Sequence, residues 1–339
     1  MKKLWKALGA TLLALLVVWL ICFLLPRPQN FKLDNPMRKE GIPQLIAHGG
    51  GNREFPDNTL EAFYNAYDVD PNVMLETDVN ITKDGVVILS HDTTLDRKTN
   101  VSGKIADWNY TDLIDQRVDF GYTNQTTEEQ VLVEGSARVK FATADGRHVT
   151  PLDVPYPEGV QPRDSEVFLA TTLEELLIAF PENLINLEIK QSGEVGMRCL
   201  REVLRLLKAY DAWEHVVLAS FHEELYDEYV RLQKSGEVPA TFMYSPATDA
   251  VTQFVVLHLL GLDVFFQDGV AAFQLPLQQS GVNLSTAYLV DTAHRHNIAV
   301  QYWTINDPEE MRHLIKIGAD GIMTDYPHLL AQVYAEYAE

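Results

Sequence analysis

QLIAHGGGNREFPDNTLEAFYNAYDVDPNVMLETD, residues Gln44–Asp78, decides the fold class. It opens on an apolar run, Gln44–Ala47, bends through His48-Gly49-Gly50-Gly51, and reaches a helix start at Asn58-Thr59-Leu60-Glu61. In that tetrad Asn58 reads as the cap and Glu61 as the side chain reaching back to it, a capping box. A second short run, Val73–Asp78, follows the helix. Strand, helix, strand in that order argues for parallel pairing.

The alternation continues along the chain. Further predicted strands are Val86–Ser90, Leu184–Ile189, His215–Ser220, Thr241–Tyr244, Asp263–Phe266, Ile298–Thr304 and Gly321–Thr324. Their number suits a TIM (β/α)8 barrel with a local hairpin. Thr172-Leu173-Glu174-Glu175 repeats the capping box, and Asp307-Pro308-Glu309-Glu310 sets proline at the first helical position. Residues 118–165 break the rhythm. Their polar, turn-rich ends flank a segment that suits a small hairpin around Asp145-Gly146, and the whole reads as an insertion.

Ahead of the barrel, Leu8–Pro26 (LGATLLALLVVWLICFLLP) carries no charge and is long enough as a helix to span about 30 Å of hydrocarbon. Lys2, Lys3 and Lys6 precede it. The residues before Pro26 are bulky and offer no small-residue cleavage site, which favours an uncleaved anchor over a signal peptide. The expected organisation is therefore an anchor at 1–26, a linker at 27–43 rich in turn formers, and a barrel at 44–332. The positive-inside rule puts the short N-terminus in the cytoplasm and the barrel outside a single-pass cell-membrane anchor. Arg27, Lys32, Arg38 and Lys39 on the other flank weaken that vote.

Charge is unevenly spread. Residues 1–39 carry +6, and the whole chain carries −21, so the remainder carries −27. So acidic a body argues against nucleic acid as a partner and suits cation binding. Apolar content of 46% and charged content of 22% read as globular. Of the two cysteines, Cys22 lies in the apolar run and Cys199 is alone in the rest, so neither a disulfide framework nor a cysteine metal site is available.

Active sites of such barrels form at the C-terminal ends of the strands. Glu76 and Asp78 are spaced i, i+2 at the end of one predicted strand and so share a face. Glu188 and Lys190 repeat the spacing on another. Three carboxylates at one mouth repel unless a cation holds them, and an all-oxygen set favours Mg²⁺, Ca²⁺ or Mn²⁺. The other reading is a structural ion network with Lys190 or Arg97. His48 and His91 both follow apolar runs and are the candidate acid and base, since imidazole titrates near neutrality. Gly49–Gly51 is either a phosphate cradle or simply a tight turn.

The motifs carry a resemblance. LIAHGGGNREFPDNTLEAF (Leu45–Phe63) resembles the opening of the glycerophosphodiester phosphodiesterase family. MLETDVNITKDGVVILSHDTTLDRKTN (Met74–Asn100) resembles its metal strand, Thr-Lys-Asp-Gly turn and second histidine. TLEELL (Thr172–Leu177) with INLEIK (Ile185–Lys190), then YWTIND (Tyr302–Asp307) and GADGIMTDYP (Gly318–Pro327), follow in order. The resemblance implies a divalent cation at Glu76, Asp78 and Glu188, with His48 and His91 as the acid–base pair. It also implies Lys190 on the phosphate and Trp303 lining the substrate pocket, where the other reading of Trp303 is a packing aromatic. The implied reaction is attack by a glycerol hydroxyl on phosphorus, through a cyclic phosphate that water opens. One departure stands out. Family members mostly carry arginine directly after the first histidine, and here that position is Gly49. Arg53 in the same loop is the candidate replacement for phosphate contact, or else a solvated loop arginine.

Three functions compete on this reading. The first is hydrolysis of small glycerophosphodiesters. The second keeps the chemistry on a lipid-derived or polymeric substrate beside the bilayer, as a lysophospholipase D-like or glycerol-phosphate polymer hydrolase. The third is a noncatalytic barrel that binds phosphorylated ligands.

Overall fold

The computed structural model describes residues 2–31, 34–123, 138–246 and 248–337. Eight parallel strands form its centre: β1 Gln44–Ala47, β2 Met74–Ile81, β3 Ile185–Ile189, β4 Val216–Ala219, β5 Met243–Ser245, β6 Ala272–Leu275, β7 Ala299–Tyr302 and β8 Gly321–Thr324. They run in the order β5-β4-β3-β2-β1-β8-β7-β6. Between the ends of that series, the Ala271 amide donates to the Tyr244 carbonyl at 3.2 Å. The result is a nearly closed TIM barrel. The short strand Val87–Leu89 pairs antiparallel with the end of β2.

One predicted strand is misplaced. Asp263–Phe266 is a 3₁₀ turn over Asp263–Phe265, and the sixth strand is Ala272–Leu275. The Val-Phe-Phe run looks like strand, but the Asp263 carboxylate is tied to Arg27 and His296, which turns the backbone there. A second correction concerns the first helix. Its cap is Thr59, whose hydroxyl accepts from the Ala62 amide, and not Asn58. The Thr172–Glu175 capping box and the Asp307 cap with Pro308 form as expected.

Strand side chains alternate between the helices outside and the barrel inside. Ile46, Met74, Val217, Met243, Ala272, Ala299 and Met323 make an apolar interior cluster. Above Met74, the Gln274 amide donates to the Gln301 carbonyl oxygen at 3.1 Å. Gly321 makes room for this packing. A β-carbon there would stand 2.7 Å from Ile46 Cδ1 and 3.0 Å from Gln301 Cγ.

Residues ahead of β1 close the floor. Phe31 and Met37 are buried in the interior cluster. The Asn35 amide donates to the carbonyls of Ala271 and Asn297 at 2.7 and 2.9 Å, and Arg38 pairs with Asp320 at 3.0 Å. Helix α1, Lys2–Leu24, precedes this floor; from Lys3 to Leu24 it is long and apolar enough to cross a membrane. Three other helices matter below: α2 Leu60–Val69, α3 Thr248–Leu259 and α4 Ala287–Arg295.

Within 118–165, Phe120, Phe141, Val149 and Val154 are buried in the outer core. Asp145-Gly146 turns tightly, with the Gly146 amide donating to Thr143 O at 2.8 Å. Part of the polar stretch read there, 124–137, lies outside the described residues.

Candidate active site

The strand ends supply the side chains. On β2 the inward series is Glu76, Asp78, Asn80, each two residues from the last. On β3 it ends in Glu188 and is continued by Lys190. His48 follows β1 directly, in a 3₁₀ turn over His48–Gly50. Gly49 has φ +55°, and a β-carbon on it would meet the Asp57 β-carbon at 2.8 Å, so the position demands glycine. The glycine run is thus a tight turn packed on the start of α2. It aims the Gly49 amide at Glu76 Oε2, 2.8 Å away.

Seven of the eight sequence-predicted residues line one cavity of about 250 Å³: His48, Glu76, Asp78, His91, Glu188, Lys190 and Trp303. That is below the roughly 300–1,000 Å³ of sites for drug-sized ligands, and it suits a small polar group. Ser220, Phe221, Ser245 and Gln274 share the wall. Phe221 and Trp303 are the exposed apolar members at the rim. Arg53 is not part of this cavity. It lies in an adjoining groove with Tyr326 and His328, its Nε 3.7 Å from Asp325 Oδ2.

Each reactive group has a support that the sequence reading missed. His48 Nδ1 lies 2.6 Å from Asp325 Oδ1, and Asn306 donates to the other Asp325 oxygen at 2.7 Å. With Nδ1 so engaged, Nε2 is the nitrogen left for a substrate proton. His91 Nδ1 lies 2.9 Å from Asp92 Oδ1, and Arg97 holds Asp92 through two bonds of 2.7 and 3.1 Å. Asn80 fixes the turn around His91 by donating to the carbonyls of Ser90 and Asp92. Asn58, at φ +58°, donates to Asp78 Oδ2 at 3.1 Å and accepts from the Asp78 amide at 3.0 Å. Asn58 therefore holds the Asp78 carboxylate from behind the cavity wall. For Asn80 the signal that could have found it is its place two residues after Asp78 in the i, i+2 series.

The electrostatics follow from four carboxylates converging out of water. Burial, reinforced by the charge of Asp78, raises the Glu76 pKa. Burial also raises that of Glu188, against the pull of Lys190. Burial disfavours a charged His48, but the hydrogen bond to Asp325 and the charges of Glu76, Asp325 and Asp78 outweigh it and raise its pKa to about 10. The bond to Asp92 raises His91 likewise. Asp92 itself is pulled down to about 2, because His91 and Arg97 overcome its burial. The Lys190 ammonium bridges Asp78 and Glu188 at 3.2 and 2.9 Å. Among the described residues, no three His, Cys, Asp or Glu side chains stand as a ready-made metal cage. Asp78 and Glu188 share the lysine instead.

The profile of the Glycerophosphoryl diester phosphodiesterase family matches residues 48–329. The chain belongs to that family. Glycerophosphoryl diester phosphodiesterases are phosphoric diester hydrolases, and the chain is an enzyme of that class. Among its relatives, a lysophospholipase D of Rattus norvegicus is 24% identical over 88% of each chain. A glycerophosphodiester phosphodiesterase of Caldanaerobacter subterraneus subsp. tengcongensis is 26% identical, over 84% of this chain and 95% of its own. Among solved structures, the glycerophosphoryl diester phosphodiesterase domain of a Mycobacterium tuberculosis protein matches with TM-score 0.63 at 18% identity, covering 86% of this chain and 98% of that one. An Oleispira antarctica phosphodiesterase in complex with the product sn-glycerol-3-phosphate matches with TM-score 0.58 at 20% identity, covering 87% and 97%. At these identities the likeness speaks for the barrel.

Proposed function

We propose that this phosphodiesterase hydrolyses glycerophosphodiesters to glycerol 3-phosphate and an alcohol, using a divalent cation at Glu76, Asp78 and Glu188 and the histidines His48 and His91 as base and acid. The observation that carries this reading is the single small cavity shared by both histidines, all three carboxylates and Lys190. The donor set fits a hard cation. It is all oxygen, Glu76 and Asp78 are buried and Glu188 nearly so, and two of its members hold a positive ammonium between them. When bound, such an ion neutralises the carboxylates and the phosphate, and it lifts the negative field that keeps a proton on His48.

The chain's own groups divide the rest. Asp325 orients His48 so that Nε2 takes the proton of the attacking glycerol hydroxyl. Asp92 favours the protonated form of His91, which is placed to donate to the leaving alcohol. Lys190 meets the phosphate charge. The cyclic phosphate so formed is opened by water with the two histidine roles reversed. Trp303 and Phe221 give the substrate an apolar wall at the rim. We further read α1 as an uncleaved single-pass anchor with the barrel outside the cell.

Product analysis on the full-length chain tests this. Release of glycerol 3-phosphate from a simple glycerophosphodiester, lost on chelation and restored by a divalent cation, is the expected result. Turnover unaffected by chelation overturns the cation. A second reading, cleavage of lysophospholipids, is favoured by the name of the rat relative. It is read by supplying a lysophospholipid in the same assay, from release of lysophosphatidic acid in place of glycerol 3-phosphate.

A further inference from the structure

The attachment point of α1 gives the barrel a direction. In a βα unit the strand runs toward the mouth and the helix returns to the base. The C-terminal end of α3 and the turn before β6 therefore lie at the base, opposite His48 and His91. Helix α1 meets the barrel there. Trp19 Nε1 donates to the Leu260 carbonyl at 2.7 Å, and a β-carbon on Gly261 would press within 3.1 Å of Trp19 and 3.2 Å of Phe23. Arg27, just past the helix, donates to both Asp263 oxygens at 2.5 and 3.0 Å and to Phe23 O at 2.9 Å, so the corner between helix and barrel is tied.

The surface around this corner is unlike the rest of the molecule. Residues 250–262 contain no charged side chain in a body that carries −27. Their exposed members include Val256, Leu259 (61% exposed) and Leu260 (56%), and Phe265 beyond them is 57% exposed. Asp263 is the charge among them, fully buried against Arg27 and His296. These side chains are continuous with the apolar surface of α1 through Trp19.

We propose that this patch rests in the interfacial layer of the bilayer that α1 crosses, so that the barrel stands on its base with the mouth turned to water. The inference rests on the reading of α1 as an anchor. The occupant is lipid because the patch adjoins the one segment built for lipid and is bonded to it. An apolar face of this kind sinks about 5–10 Å into the headgroup and acyl boundary. Four to five strand residues at about 3.3 Å each then lift the reacting groups roughly 15 Å above the base. At that height the cavity meets phosphodiesters dissolved in water, and a lysophospholipid lying in the same leaflet is out of reach.

Two reporters at opposite ends of the barrel test this. In the full-length chain carrying Cys22→Ser, the remaining Cys199 is fully buried and unreactive. A fluorophore is attached at Phe265→Cys or at Asp249→Cys, which lies near the mouth end of α3. The chain is placed in phosphatidylcholine–phosphatidylglycerol vesicles containing nitroxide-labelled lipid. The expected result is loss of more than half the emission at Phe265 and no loss at Asp249. Quenching at Asp249, alone or with Phe265, overturns the orientation. Quenching at neither means that the barrel stands clear of the bilayer. Shielding of Phe265 from both nitroxide lipid and aqueous iodide means that a second copy covers the patch. Either result overturns the proposal. Loss of the chain from vesicles in an alkaline wash overturns the anchor and the proposal with it. Emission needs no turnover, so failure of the enzymatic reading is seen separately. In active vesicles, a soluble glycerophosphodiester is cleaved faster than lysophospholipid resident in the bilayer, and the reverse ranking overturns the proposal.

Discussion

His48 and Asp325 lie just past the ends of neighbouring strands, β1 and β8, and their Nδ1 and Oδ1 atoms stand 2.6 Å apart. The pairing fixes which imidazole nitrogen faces the cavity. Asp325→Asn keeps the shape and removes the charge. It is expected to cut kcat by about 10²-fold or more, in the range of a lost acid–base group, with KM little changed. In the metal-free protein the His48 pKa, followed by proton NMR, should fall from about 10. An unchanged pKa would mean that the carboxylate does not govern this histidine.

Glu76→Gln tests the carboxylate set. The amide matches the carboxylate in size and can still accept from the Gly49 amide, so the fold should persist. Turnover is expected to fall to background, because a neutral oxygen binds a hard cation weakly. Activity with circular dichroism on the same sample checks both halves. A variant as active as the wild type would remove Glu76 from the metal set.

His91→Ala separates acid catalysis from positioning. On a natural glycerophosphodiester the loss is expected to be about 10²–10⁴-fold. On a nitrophenyl ester, whose leaving group needs no proton, the loss should be much smaller. Equal losses on both substrates would leave His91 only a positioning role.

Asp263 sets a pH dependence at the base. Burial alone would raise its pKa, but hydrogen bonds from His296 and Arg27 outweigh that and hold it well below the usual carboxylate range. A depressed folded pKa contributes stability above the ordinary value near 4 and loses it as pH falls below. Asp263→Asn removes the charge and one of the two acceptor oxygens facing Arg27 and His296, and should cost about 3–5 kcal/mol near neutrality. The gap between the melting temperatures of variant and wild type should begin to narrow below about pH 4 and go on closing as the pH falls toward the depressed folded pKa. A constant gap would assign the loss to packing.

How far the sequence reading reached is clear from single residues. Period-two alternation in Glu76 and Asp78 directly states that they share the barrel mouth, because β2 is a regular strand, whereas Asn80, the next in that series, is not singled out by it. Asn58 was misread because a cap and an αL residue bonding to a distant carboxylate use the same amide, and the partner is 20 positions away. Asp325 gave no signal beyond its motif, since its role depends on β1 and β8 becoming neighbours at opposite ends of the chain. The sixth strand was lost to the more apolar Asp263–Phe266, where a buried ion pair overrides local strand propensity. Arg53 illustrates the reverse error. Sharing a loop with His48 did not bring it to the same cavity.

The barrel floor has a consequence for proteolytic shedding. Phe31, Asn35, Met37 and Arg38 close the barrel from below, so these residues between α1 and β1 are structural. A cut between Leu25 and Gln29 would release an enzyme with its floor in place. A cut at residue 40 would strip out two buried side chains, open the underside of the interior cluster to water, and leave Asp320 without its arginine. A barrel separated from α1 by any protease, natural or added, therefore has to be trimmed within the few residues that follow the apolar helix.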